Sequence, residues 1–404
     1  MSVGSAGRFV RVGMAPFLMS ASLLAHAGDL DLRGALAAET RGFWEEAQFS
    51  GQRAVDVSLV ARPEFHLTTA DGQQRLVFSP FFRLDSVDRE RTHGDVRELG
   101  WSWASESWEL RLGVHRVFWG VAESNHLVDI INQTDLVENP DGEDKLGQPM
   151  ANLSLVRHWG TVDLFVLPWF RERTFPGARG RLRSNPPVEV EEAIYESDAK
   201  EHHVDFAIRY ALSVGGVDFG LYQFRGTNRT PRLEVRTRQD GTLALIPHYE
   251  QIDQTGTDVL YAWESWLFKL EALYQSGAGE AYAAAVGGFE YTLTGVAGSE
   301  MDLGLLSELH FDSRGDAALT PFNHDVFAGF RLAANDTAGT QALAGVVADV
   351  ETGALLYNLE VERRLNERWK LNLELRAFAS RGRFDLFSVM DRDDYLSLEI
   401  ARYF

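Results

Sequence analysis

A single all-β domain, an antiparallel transmembrane β-barrel of about 18 strands, is the fold that the sequence predicts. Three observations carry the prediction. Apolar and polar residues alternate in segments along the whole chain. The connections between these segments alternate between short and long. The last segment ends the chain on an aromatic residue, Phe404.

The alternation has the period of two that belongs to strands. Val55, Val57, Leu59, Ala61, Pro63, Phe65 and Leu67 share one face, and Asp56, Ser58, Val60, Arg62, Glu64 and His66 the other. Trp266, Phe268, Leu270, Ala272 and Tyr274 likewise oppose Lys269, Glu271 and Gln275. Trp369, Leu371, Leu373, Leu375 and Ala377 oppose Lys370, Asn372, Glu374 and Arg376. A soluble sandwich also alternates, with its apolar face inward. Full charges of both signs at strand centres suit a polar lumen better.

Short connections are expected near 70–73, 104–107, 158–161, 213–216, 263–266, 295–300, 335–340 and 365–368. Long ones fall near 45–53, 86–95, 118–149, 172–202, 226–242, 313–323 and 381–392. Two short links, near 277–280 and 350–353, interrupt the rule. The strand count between these connections is even and puts both termini at the short-turn end, as a bacterial barrel requires. The stretch 226–262 is the ambiguous one. There Leu233–Arg238 and Thr242–Ile246 read as a hairpin above the barrel, and about 16 strands is the alternative count.

Residues 1–27 read as a cleaved secretory signal peptide: Arg8 and Arg11, an apolar core from Gly13 to Leu24, then Ala25-His26-Ala27 as the cleavage site. The mature chain is then 28–404, exported from a bacterial cytoplasm. Nothing after residue 27 approaches the ~18 apolar residues of a transmembrane helix. With 39 basic and 59 acidic residues the net charge is −20, which argues against a nucleic-acid partner. The absence of cysteine excludes disulfides, thiol catalysis and thiolate metal sites.

The final strand places Leu396, Leu398, Ile400 and Phe404 on one face and Tyr395, Ser397, Glu399 and Ala401 on the other. It resembles the closing strand of Gram-negative outer-membrane barrels. That resemblance implies outer-membrane lipid and lipopolysaccharide as surroundings, and the barrel-assembly machinery as a partner of this strand. Arg402 stands where an aromatic or aliphatic residue is usual, and at a strand end it can snorkel to the headgroups.

The longest connections hold the distinctive local sequence. A strand ends in Trp119-Gly120, Glu123 follows, and Asp129-x-x-Asn132-x-x-Asp135 comes next. Leu167-Pro-Trp-Phe170 and Arg171-x-Arg173-x-x-Pro176-Gly177 lie on the following strand pair. Over about 110–180 the chain resembles an uncharacterised proteobacterial family of porin-like outer-membrane proteins; Gln133 stands where that family often has Pro. The resemblance implies a porin-like channel or transporter for a small or lipophilic solute, compatible with a periplasmic or inner-membrane transport partner. A non-conducting surface receptor or structural barrel is the alternative, and an outer-membrane hydrolase a third class.

Physically, a long loop at about 118–149 can fold into the lumen and narrow it. A short helix over Asn125–Ile131 is expected, with Leu127, Val128, Ile130 and Ile131 on the inner wall and Glu123, Asp129 and Asp135 facing the pore. Opposed by Arg62, Arg83, Arg111, Arg209 and Arg376, with Glu374 among the lumen charges, such a loop sets a transverse field. The plainer reading is a plug whose carboxylates are spent in salt bridges. The loop 172–202, basic first (Arg173, Arg179, Arg181, Arg183) and acidic after, reads as pairing its own charges or meeting a phosphate or ligand. His202-His203 lacks the geometry of a metal site, since adjacent strand residues point apart, and Asp391-Arg-Asp-Asp394 lacks the glycine-spaced loop of a calcium site. His115, His158, His310, Ser154 and Ser307 lie on walls with no nucleophile elbow. Neither catalysis, nor a cofactor, nor a metal is expected.

Overall fold

The computed structural model describes residues 27–318, 320–380 and 387–404. Apart from Ala27, the expected signal peptide lies outside the described residues, as does part of the expected 381–392 loop. Eighteen strands make one antiparallel closed sheet. The first seven are β1 (Ala27–Phe43), β2 (Val55–Thr69), β3 (Gln74–Asp85), β4 (His93–Ala104), β5 (Trp108–His115), β6 (Gln148–Arg157) and β7 (Gly160–Leu167). A separate small sheet is formed by β8 (Ile194–Tyr195), which runs parallel to one strand of a hairpin described below. The wall resumes with β9 (Asp205–Val214) and β10 (Val217–Thr227). The hairpin is β11 (Arg232–Thr237) and β12 (Leu243–Tyr249). Then come β13 (Gln251–Trp263), β14 (Trp266–Gly277), β15 (Gly279–Leu293), β16 (Asp302–Asp312) and β17 (Asp325–Ala333). The last four are β18 (Gln341–Asp349), β19 (Leu355–Arg364), β20 (Trp369–Ala379) and β21 (Tyr395–Tyr403).

Closure is made by β21 against β1, in register from Ala35 opposite Tyr403 to Phe43 opposite Tyr395. Gly34 and Phe404 exchange both backbone hydrogen bonds, each 3.1 Å, so the terminal aromatic completes the seam. The pleat sorts side chains as the alternation requires. On β2, Leu59 is 59% exposed on the outside while Asp56, Ser58 and His66 are buried inside. Among the described residues no second layer covers the outer face, and a closed barrel leaves no unpaired edge, so this apolar surface belongs in a bilayer. Near the short turns aromatic rings pair: Trp103 with Trp108 at 5.1 Å, Trp159 with Tyr210 at 6.0 Å, Trp266 with Tyr291 at 4.6 Å. Such a girdle marks an interface. Apolar outside, polar within and girdled at its short-turn end, the barrel is that of a Gram-negative outer-membrane protein, with both described ends on the periplasmic side. No described helix is long and apolar enough to cross a membrane.

Two boundaries depart most from the sequence expectation. The strand expected over 161–171 stops at Leu167, because Pro168 has no N–H to continue the ladder. The strand expected over 246–262 begins at Gln251. The hairpin expected from Leu233–Arg238 and Thr242–Ile246 forms and takes the residues up to Tyr249 as well; Tyr249 is drawn out of the wall onto Phe170 at 4.8 Å and Tyr195 at 5.5 Å.

One wall position is unfavourable. Asp325 is 2% exposed at the outer end of β17, directly opposite Asp349 on β18, and neither of its oxygens has a hydrogen-bond partner. Like charges facing across a sheet destabilise it. Asp325→Asn is expected to stabilise the folded barrel by about 1 kcal/mol, read as a higher urea midpoint in detergent. An unchanged or lower midpoint would contradict this.

Candidate functional site

After β5 the chain turns into the lumen at Arg116 and returns to the wall at Gln148, close to the expected 118–149 loop. Its neck is tied by one side chain. Asn132, 1% exposed, donates through Nδ2 to the carbonyls of His115 (2.9 Å) and Leu146 (2.8 Å), and its Oδ1 accepts from the Val117 N–H (2.8 Å). Gln133 uses its amide to reach the Arg171 carbonyl at 3.2 Å.

The first half of the loop docks on an apolar patch of the inner wall. Trp119, Val128, Ile130 and Ile131 are buried with Met150, Phe165, Leu167, Tyr222 and Phe224. Trp119 lies 4.9 Å from Tyr222, and the Arg209 guanidinium sits over it at 5.0 Å. Val128, Ile130 and Ile131 therefore pack as expected, while Leu127 is half-buried.

The expected helix over Asn125–Ile131 does not form; the segment is irregular with one turn. The N–H groups of 121–124, just ahead of it, and that of Val128 within it are taken by wall carboxylates instead. Glu271 on β14, fully buried, accepts from Val121 (2.6 Å), Ala122 (2.7 Å) and Val128 (3.1 Å). Glu308 on β16 accepts from Glu123 (2.7 Å) and Ser124 (2.9 Å), and from the Ser124 hydroxyl (2.5 Å). Charge-assisted bonds of this kind outweigh the neutral bonds a single helical turn would offer. Gly120, at φ +109°, passes so close to Glu271 that a Cβ there would lie 2.6 Å from its carboxylate, which accounts for the glycine.

The tip of the loop is held from the opposite wall. Glu138 is gripped by Arg83 (2.6 Å), which also reaches Glu39 (2.8 Å). Arg91 joins Glu39 (2.7 Å), Arg41 donates to the Glu138 carbonyl (2.7 Å), and Arg97 holds Asp135 (2.6 Å). Arg376 links Glu374 (2.6 Å) to Asp141 (2.8 Å) on the loop. The loop thus spans the lumen from β14 and β16 to β1, β3 and β20.

Between it and the wall of β1–β3 and β17–β21 lies a cavity of about 670 Å³, lined by ten carboxylates and five arginines. A smaller outer chamber, about 280 Å³, lies toward the long-loop side of the plug.

The candidate residues distribute unevenly around these spaces. Glu123 lines the larger cavity, bonded to Arg331 at 2.5 Å and Lys269 at 3.4 Å. Asp129 and Asp135 do not face it. Their side chains are 2% and 0% exposed, held by Lys145 and by Arg97, because an unpaired carboxylate against the apolar wall is too costly. Arg62, Arg83, Arg376 and Glu374 line the cavity. Arg209, paired with Asp258 behind Trp119, and Arg111, paired with Glu109, do not. Glu271, Glu308, Glu39, Glu138, Arg41, Arg91, Arg97 and Arg331 are contributors that the sequence did not single out. The arginines of the 172–202 loop pair with other elements rather than with its own acids. Arg181 bonds Asp393, and Arg183 lies 3.8 Å over Phe49.

Among the described residues one group has the spacing of a metal site: His93 Nε2 lies 3.9 Å from Asp135 and 3.7 Å from Glu138. Both carboxylates already accept from guanidiniums, which stand where a cation would. Ser124 lies 2.8 Å from His310 Nε2, yet Glu308 bonds the serine rather than His310 Nδ1, which has no partner. A catalytic triad needs that carboxylate on the imidazole.

No family model matches the chain, and no curated protein matches it. Solved structures do. The chain is similar to Wzi of Escherichia coli, described as an outer membrane protein involved in group 1 capsule assembly and a carbohydrate-binding β-barrel, at 10% identity and a TM-score of 0.54, over 94% of this chain and 86% of that one. It is also similar to a loop-deleted OmpT, an outer membrane protein of Vibrio cholerae, at 9% identity and TM-score 0.49, over 93% and 99%. A triple mutant of the Rhodopseudomonas blastica porin follows at 12% identity and TM-score 0.44, over 93% and 100%. At these identities the likeness is one of fold: the chain is a closed antiparallel β-barrel.

Proposed function

We propose that the barrel is a porin-like channel whose conducting path is the 670 Å³ cavity, narrowed by the loop 116–147. One observation carries the reading: the loop is clamped to two opposite walls yet leaves a charged cavity of about 670 Å³, with more carboxylates than arginines, between itself and the wall. Ten carboxylates against five arginines favour cations, and the polar lining favours a small hydrophilic solute over a lipophilic one. Refolded protein in a planar bilayer under a salt gradient is expected to give discrete openings with a cation-selective reversal potential. Silence, or anion selectivity, overturns the reading.

The role is read as non-enzymatic. The signal peptide, recognition of the C-terminal strand by the assembly machinery, and membership of the porin-like family belong to the same proposal. A non-conducting receptor barrel is the second reading. The apolar seal around Trp119 and the β8–β11–β12 sheet, which fill part of the lumen and its mouth, favour it.

His126 lines both cavities, 3.4 Å from Glu143, whose carboxylate raises the pKa of the imidazole above its usual value. The contact is therefore complete below about pH 6.5 and fades as pH rises through the raised value. Cation selectivity is expected to increase between about pH 6 and 9 as that positive charge is lost. His126→Gln should flatten the profile; an equally steep profile in that variant contradicts the assignment.

A further inference from the structure

The outer chamber contains a cation without a counter-charge. Arg173, in the segment after β7, lines it. Its guanidinium meets only neutral oxygens: Nε donates to Gln133 Oε1 and Nη2 to Thr230 Oγ1, each at 3.2 Å. Among the described residues no carboxylate pairs with it, and Nη1 has no partner. The other basic chains in the chamber are neutralised. Lys145 meets Asp129 at 3.4 Å, Arg229 meets Asp205 at 2.7 Å and Arg314 meets Asp312 at 2.6 Å. The remaining acid there, Asp141, is held by Arg376 at 2.8 Å.

An enclosed guanidinium with only neutral neighbours is held at a cost. Burial, with no acid to offset it, lowers the Arg173 pKa to about 10. The group is nonetheless ionised at neutral pH, and the other edge of its fork has no protein partner among the described residues. Gln133 and Thr230 fix the opposite edge, so little side-chain entropy remains to be lost on binding.

We propose that Arg173 is the anchor of an anion subsite in the outer chamber, taking a small oxyanion or the carboxylate or phosphate group of a solute. The fork geometry suits two parallel N–H···O bonds, and Thr230 and Asn228 stand beside it as neutral polar partners. The subsite is independent of whether the inner cavity conducts. An entering anion stops here, ahead of a cavity whose carboxylates repel it.

Titration calorimetry of the detergent-folded chain with inorganic phosphate, then with acetate, tests this in solution. Phosphate is expected to bind saturably at one site, and acetate to compete for it. Arg173→Gln should weaken binding about tenfold or more. Arg173→Lys, which keeps the charge but not the fork, should weaken it less, and it decides the matter if the glutamine variant fails to fold. Arg225→Gln, whose parent side chain is 79% exposed on the outer wall, should bind as the parent does. Absence of saturable phosphate binding by the parent, or unchanged binding in both Arg173 variants, overturns the proposal. So does equal weakening by Arg225→Gln.

Discussion

Glu271→Ala is expected to release the plug loop from the wall. Glu271 alone receives three backbone N–H groups of the loop, at 2.6, 2.7 and 3.1 Å. An apolar replacement leaves all three without acceptors in a water-poor crevice. At 1–3 kcal/mol per unsatisfied buried group, the docked state should lose on the order of 3–5 kcal/mol. A loop held by less than that will detach, and cleavage by added protease within 121–128 should accelerate more than a hundredfold while the wall strands stay resistant. Glu271→Gln keeps one acceptor oxygen and should lie between. If cleavage rates do not differ among parent, Gln and Ala forms, Glu271 is not the clamp. Glu308→Ala should act in the same sense but more weakly, since two N–H groups rest on it.

The second large effect concerns conductance. Removing Glu123–Leu146 takes away the span that crosses the lumen, including Glu138, Asp141 and the apolar segment docked on Phe165 and Tyr222. An 18-stranded wall with no inner loop encloses an aqueous channel. Single-channel conductance should rise several-fold, and cation selectivity should fall as the narrowest charged section disappears. Equal conductance in both forms would mean that the loop does not limit flow.

Much of the fold was legible because a barrel wall obeys one simple rule. Lipid outside and water inside impose a period of two on every strand, and Val55–Leu67 or Trp369–Ala377 display it without help from distant residues. Turn length carried the rest, down to the two short links near 278 and 350–354. The failures fell where tertiary contacts outweigh local pattern. Residues 247–249, expected in the wall, extend the hairpin strand instead, because Tyr249 is buried by Phe170 and Tyr195, which are distant in sequence. The segment Asn125–Ile131 is expected to be helical, yet Glu271 takes the Val128 N–H within it, and Glu271 and Glu308 take the N–H groups of 121–124 before it, from strands more than a hundred residues away.

The site was legible in outline only. Polar alternation identified Arg62, Arg83, Arg376 and Glu374 as inward-facing. It could not reveal that Arg209 and Arg111 would be spent on Asp258 and Glu109. Nor could it tell an acid that faces water, Glu123, from its neighbours Asp129 and Asp135, each buried against a cation. That distinction depends on which part of the loop meets the wall.

The chain contains no cysteine, so a single introduced thiol has no background. Asn372 lines the cavity on β20, whereas Leu398 on β21 is 45% exposed to lipid. Single channels of Asn372→Cys and Leu398→Cys, treated with a charged methanethiosulfonate reagent during recording, test the central claim most directly. A stepwise fall in current for Asn372→Cys, with none for Leu398→Cys, is the expected result. Steady current through Asn372→Cys after mass spectrometry shows its thiol modified would mean that ions pass elsewhere, or that the barrel is not a pore.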